Sequence, residues 1–211
     1  MLVPEIAQGA SDELADLRSL CDAVVRRLVA AANDTVTVVA SAPEPERWGT
    51  EAGGSLRGFG VDVRAGGPEL VLTPELTMGA WLLDRAGWQG EREYRAVRAD
   101  TRFEIDVPVL VMADGSAKRT DTAPGHIDER ALAYDKVIAH ALATGDAGAF
   151  ARLDVRLGEH LWAAGAPAMC AVGANVIAAR RSVRTASLHF DEAPYGVGYF
   201  VASWCFDGDG E

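Results

Sequence analysis

The residues best placed to do chemistry stand at the end of Val107–Arg119, VPVLVMADGSAKR, where an apolar run gives way to the polar turn Ala113-Asp114-Gly115-Ser116-Ala117. Asp114, Ser116 and Arg119 offer a carboxylate, a hydroxyl and a guanidinium in close succession. His126 follows in the next loop, and an imidazole there could act as a ligand or general base. Tyr195, in the later run Asp191-Glu192-Ala193-Pro194-Tyr195-Gly196, adds a phenol. Together Asp114, Ser116, Arg119, His126 and Tyr195 could line a site for a small molecule. The plainer reading has weight too. Asp and Ser in turns commonly hydrogen-bond the local backbone, and His126 would flank a helix opening at Ile127.

Other reactive types are scattered. His140 and His160 fall in helical patterns without a second ligand one turn on, and His189 shares a strand with Asp191, where alternation splits neighbouring side chains between faces. Gly53-Gly54-Ser55-Leu56-Arg57-Gly58-Phe59-Gly60 lacks the Gly-Lys-Ser/Thr of a phosphate loop, and no Gly-x-Ser-x-Gly elbow occurs. Cys21, Cys170 and Cys205 are too far apart for a zinc cluster; they read as small buried hydrophobes, the helical pair with raised pKa values that make them inert.

These residues need a scaffold. The 211-residue chain suffices for one α/β core, and we read residues 1–211 as one domain with a frayed tail over 206–211. Twenty basic against 31 acidic residues leave a net charge of −11, which disfavours nucleic acid and anionic membranes as partners. With no basic leader, membrane-length apolar run or disulfide pattern, the chain reads as cytoplasmic.

Val107–Met112 is short and β-branched, so it reads as a strand covered on both faces in the middle of a sheet. Open α/β sheets hold ligands beyond the carboxyl ends of their strands, which is why the turn at Asp114 draws interest. Upstream, Ser11 fits an N-cap with Asp12 and Glu13 in the first turn; Leu14, Leu17, Cys21, Val24, Val25 and Leu28 then form one buried helical face. Thr35–Ala40 is a strand entered directly from that helix, and the alternation argues for parallel pairing. Residues 41–57 read as a Gly- and Pro-rich loop. Thr73-Pro74 opens a helix that stops near Gly87, and residues 91–99 suggest an edge strand. Between Gly125 and Gly145 a helix turns Ile127, Leu132, Tyr134, Val137, Ile138 and Ala141 inward. Helices around 147–162 and 166–179 precede an antiparallel pair, 183–190 and 198–206. The fold class is α/β: an αβα sandwich with a mixed, mostly parallel sheet and helices on both faces.

Several of these segments, in this order, resemble the catalytic subunits of class III extradiol ring-cleavage dioxygenases, the LigB-like superfamily that includes the Memo-type proteins. Leu2-Val3-Pro4-Glu5-Ile6 resembles the segment just after the family's amino-terminal Pro-His-Pro motif. Thr35–Ala40 is similar to its second strand, and Ala113–Ala117 to its Gly/Ser-Asp-Leu-Ser-His turn. Asp114 through Arg130 and Asp191 through Phe200 are similar to actinobacterial LigB-like proteins.

The resemblance implies a non-haem Fe(II) site of two histidines and a carboxylate, with a further histidine for acid–base catalysis. The chain departs from that pattern. The first histidine would stand ahead of Leu2, the second strand ends in Ala40-Ser41-Ala42-Pro43, the turn ends in Ala117, and the nearest late carboxylate is Glu159. The expectation is therefore a LigB-like domain without the iron ligands and catalytic histidine, with no cofactor, acting as a small-molecule binding or non-iron catalytic protein. Arg47, Arg57 and Arg119 would favour an anionic aromatic ligand, and Trp48, Phe59, Tyr195 and Tyr199 would suit a homodimer interface. The alternatives are an active Fe(II) extradiol dioxygenase and a non-catalytic interaction subunit.

Overall fold

A computed structural model describes residues 2–7 and 14–208. Ser11, Asp12 and Glu13, expected to open the first long helix, lie outside the described residues, as do residues 209–211 of the expected tail. The architecture is mixed α/β, with both parallel and antiparallel strand pairs. Two compact units interleave along the chain: Met1–Ala40, Glu46–Ala96 and Val107–Met112 form the first, and Ser41–Pro45, Val97–Asp106 and Ala113–Glu211 the second.

In the first unit a short helix α1 (Pro4–Ala7) precedes α2 (Ala15–Ala30), whose buried residues Leu17 and Val25 share one face. Strand β1 (Thr35–Ser41) follows, and Val36, Val38, Val39 and Ala40 in it are fully buried. Next come β2 (Glu46–Trp48), β3 (Ala52–Ser55), β4 (Arg64–Gly66) and β5 (Glu69–Leu70), with a 3-10 turn at Arg57–Phe59. Helix α3 (Pro74–Arg85) has the expected cap: the Thr73 hydroxyl accepts from the Leu76 amide. Strands β6 (Glu91–Val97) and β7 (Val109–Met112) complete a four-stranded sheet of order β2-β6-β1-β7.

Three expectations change here. Strand β7 stands at the end of that sheet and is half-buried; the central, fully covered strand is β1, to which β7 pairs in parallel from Thr37↔Val109 to Ala40↔Met112. An apolar run shows that a strand is partly covered, and two such runs leave their order open. Strand β6 lies between β2 and β1 instead of at an edge, because its charged residues find partners: Glu93 bonds both Arg47 and Arg95. Residues 41–57, expected as a loop, contain β2 and β3. The glycines of β3 permit close approach. A Cβ on Gly54 would overlap the Thr77 side chain of α3.

The second unit holds α4 (Arg130–Thr144), α5 (Ala147–Ala151), α6 (Val155–His160), α7 (Ala166–Ala178), β8 (Val183–Glu192) and β9 (Tyr199–Phe206). Its core gathers Ala131, Tyr134, Ile138, Phe150, Leu161 and Met169, with Trp204 stacked on Phe150 at 5.4 Å. Strands β8 and β9 pair antiparallel, as expected. Ile127, Leu132 and Val137, expected inside, are exposed: Ile127 precedes α4, and the inward face of the helix is made by Ala131, Tyr134, Asp135, Ile138, Ala139 and Ala141. The cysteines are free thiols, and burial pushes Cys21 up to about 11 and raises Cys170. No helix among the described residues is long and apolar enough to cross a membrane.

Candidate functional site

The turn at Asp114 is built into the second unit by its own polar groups. Asp114 Oδ1 accepts from the Gly165 amide at 2.8 Å, which sets a carboxylate at the amino-terminal end of α7, where the helix dipole favours it. Ser116, fully buried, donates from both its amide and its hydroxyl to Asp135 of α4, each at 2.8 Å. The Gly115 amide donates to Gly198 O, and the Gly198 amide to Ser116 O, so the turn is laced to the segment entering β9. A Cβ on Gly198 would crowd the Asp135 carboxylate.

Arg119 extends the same network. Its Nε stands 3.7 Å from Asp135 Oδ2 and its Nη1 3.6 Å from Asp191 Oδ1, ion-pair distances beyond hydrogen-bond reach. Burial raises the Asp135 pKa above the usual carboxylate range, against the Ser116 hydrogen bonds and the Arg119 charge, which lower it. The desolvation cost outweighs its partners.

Of the expected site residues, the structure brings Ser116 and Arg119 to one carboxylate. Asp114 serves α7 instead. The Arg119 amide donates to Gly196 O, next to half-buried Tyr195. His126 is exposed, in a loop folded back through the Gly125 and Asp128 amides onto Ala117 and Lys118. Asp135 went unnoticed in the sequence. The signal was there, an acid one position from Tyr134 and three from Ile138 on a buried helical face.

The donors implied for iron do not fit such a centre. Ser41 Oγ accepts from the Ala168 amide, Ala117 is buried without a donor atom on its side chain, and Glu159 is exposed on α6. His160 Nδ1 bonds Arg156 O, and His189 Nε2 bonds Ser203 Oγ across β8 and β9. Among the described residues no three of His, Cys, Asp or Glu gather where they could hold a metal ion.

A solvent-open, largely polar cavity of about 370 Å³ lies in the first unit, lined by Thr50 and Glu51 before β3, the Gly66-Gly67-Pro68 turn, Asp84 of α3, Trp88-Gln89-Gly90, and Arg92 of β6. Arg92 donates to Asp84 Oδ1 at 2.6 Å and to Trp88 O, while Asp84 Oδ2 accepts from the Gly66 amide. Trp88 donates its indole N–H to Glu91 O, fixing the ring. None of the sequence-chosen residues lines it. Its wall comes from segments far apart in the chain, with no local motif to mark it. The arginines expected to favour an anion are each met by carboxylates: Arg47 by Glu93, Arg57 by Asp62, and Arg119 by Asp135 and Asp191. No family model matches the chain, and no curated protein matches it.

Proposed function

We propose that the chain is a cytoplasmic, LigB-like domain that binds a small molecule and has lost iron-dependent ring cleavage. The observation that carries the binding half of this reading is the solvent-open cavity of about 370 Å³, whose walls Arg92 ties together through hydrogen bonds to Asp84 and Trp88 O. Support for the other half comes from the turn at Asp114, whose carboxylate and hydroxyl are engaged in holding the fold and whose final residue, Ala117, can move no proton.

The test is a thermal-shift screen of amines, carboxylates, phosphates, phenols and neutral polyols, run without added metal. A ligand of the native state raises the melting temperature with a saturable concentration dependence. At least one class should do so, and a screen in which none does would overturn the reading. A second reading, an interaction subunit, is favoured by the exposure of Leu132 and Val137 on α4. It predicts that Leu132→Lys abolishes capture of a partner chain and leaves the ligand response intact.

A further inference from the structure

From the open edge of the ribbon formed by β8 and β9 we infer that the chain forms a two-fold dimer in which β8 pairs antiparallel with β8 of a second copy. The two strands make a sheet by themselves, so each has a side with no neighbouring strand among the described residues. Strand β9 is buried or half-buried along its whole length, and its entry is laced to the Gly115-Ser116 turn. Strand β8 is the open side. Arg184, Thr185, Ser187, Asp191 and Glu192 in it are exposed, and among the described residues its backbone bonds no segment but β9. Alternate amides and carbonyls of an antiparallel strand point away from its partner, and an exposed row of them is a template for a further strand.

The charges on β8 identify that strand as a second copy of itself. Arg184 near its amino end and Glu192 at its carboxyl end have no ionic partner among the described residues, and Asp191 meets Arg119 only at 3.6 Å. An antiparallel copy brings its carboxyl end to this amino end. Pairing about Leu188 sets Arg184 opposite Glu192, and a slip of one residue sets it opposite Asp191, so the guanidinium meets a carboxylate in either register. Symmetry makes the contact twice and closes the assembly at two copies. A parallel copy would oppose like charges. Bulges blunt many edges, and β8 shifts register between Val183 and Thr185 and between Leu188 and Phe190. The run Thr185–Leu188 between those shifts stays regular, and no proline or lysine interrupts the strand. None of Trp48, Phe59, Tyr195 and Tyr199, the aromatic residues expected at a homodimer interface, lies on β8.

Sedimentation equilibrium of the full chain across the micromolar range should fit a monomer–dimer equilibrium, and hydrogen exchange at the β8 amides should slow as the dimer forms. Arg184→Glu leaves both ends of the strand acidic, and Glu192→Arg leaves an arginine at both. Each alone should weaken the dimer by about tenfold, through two attractive cross-strand pairs made repulsive. An equimolar mixture of the two variants restores opposite charges across the pairing and should recover the parent's association. Both positions are exposed and without an ionic partner among the described residues, so the variants should keep the parent's unfolding midpoint. A chain that stays monomeric overturns the inference. So does a dimer indifferent to both substitutions, or a mixture that fails to recover. Slowed exchange on α4 with none on β8 would move the contact to the exposed Leu132 and Val137 and overturn it as well.

Discussion

Removing the Asp135 carboxylate would strand the two groups it serves, the Ser116 amide and the Ser116 hydroxyl. Asp135→Ala should therefore cost about 3 kcal/mol, read as a lower urea midpoint. Asp135→Asn keeps an acceptor and relieves the burial of a charge, so at pH 7 it should stay within about 1 kcal/mol of the parent. Because the folded pKa is raised, ionisation of Asp135 disfavours the folded state. Its contribution is full below the unfolded carboxylate value and is lost as pH rises through the folded one. The parent should then gain stability relative to Asp135→Asn as pH falls from 7 towards 4. A gain of the opposite sign would show that Arg119 outweighs burial. Turn chemistry was legible at Asp114 and Ser116 as residue types, since both do serve hydrogen bonds. Their partners were not legible: Gly165 and Asp135 lie far along the chain, and only the packing of α4 and α7 brings them near.

Elements with a local signature were the readable ones. Thr73-Pro74 marks the start of α3, and Gly145, at φ 72°, ends α4 in the left-handed conformation glycine favours. Thr73→Ala should cost about 1 kcal/mol through loss of the cap, measured by thermal or urea unfolding. Strand β3 lacked such a signature, because Ala-Gly-Gly-Ser reads as a loop. Its strand character comes from pairing with β4 and β5 and from a helix pressed against it at Gly54. Gly54→Ala places a methyl group into the Thr77 side chain and should cost about 2 kcal/mol, whereas a flexible loop there would tolerate it. Unfolding midpoints of Gly54→Ala and of Gly58→Ala, where a Cβ meets nothing, separate the two cases. Helix α4 shows the reverse error. Its apolar residues outnumber those the core can accept, and Leu132 and Val137 remain outside.

For the whole molecule, composition and alternation of elements conveyed an α/β fold, since local periodicity survives in the chain whatever the tertiary contacts. The order of strands did not survive in the same way. Strands β1 and β7 are both short apolar runs, and only pairing decides that β1 is central. The cavity was hidden for a related reason, its wall being assembled from residues between Thr50 and Arg92 that no motif connects. The central claim, a domain that binds without iron, is tested most directly by elemental analysis of protein purified anaerobically without chelator, offered ferrous iron and then freed of excess. The account predicts iron far below one equivalent per chain; stoichiometric iron would contradict it and return the chain to the ring-cleavage dioxygenases.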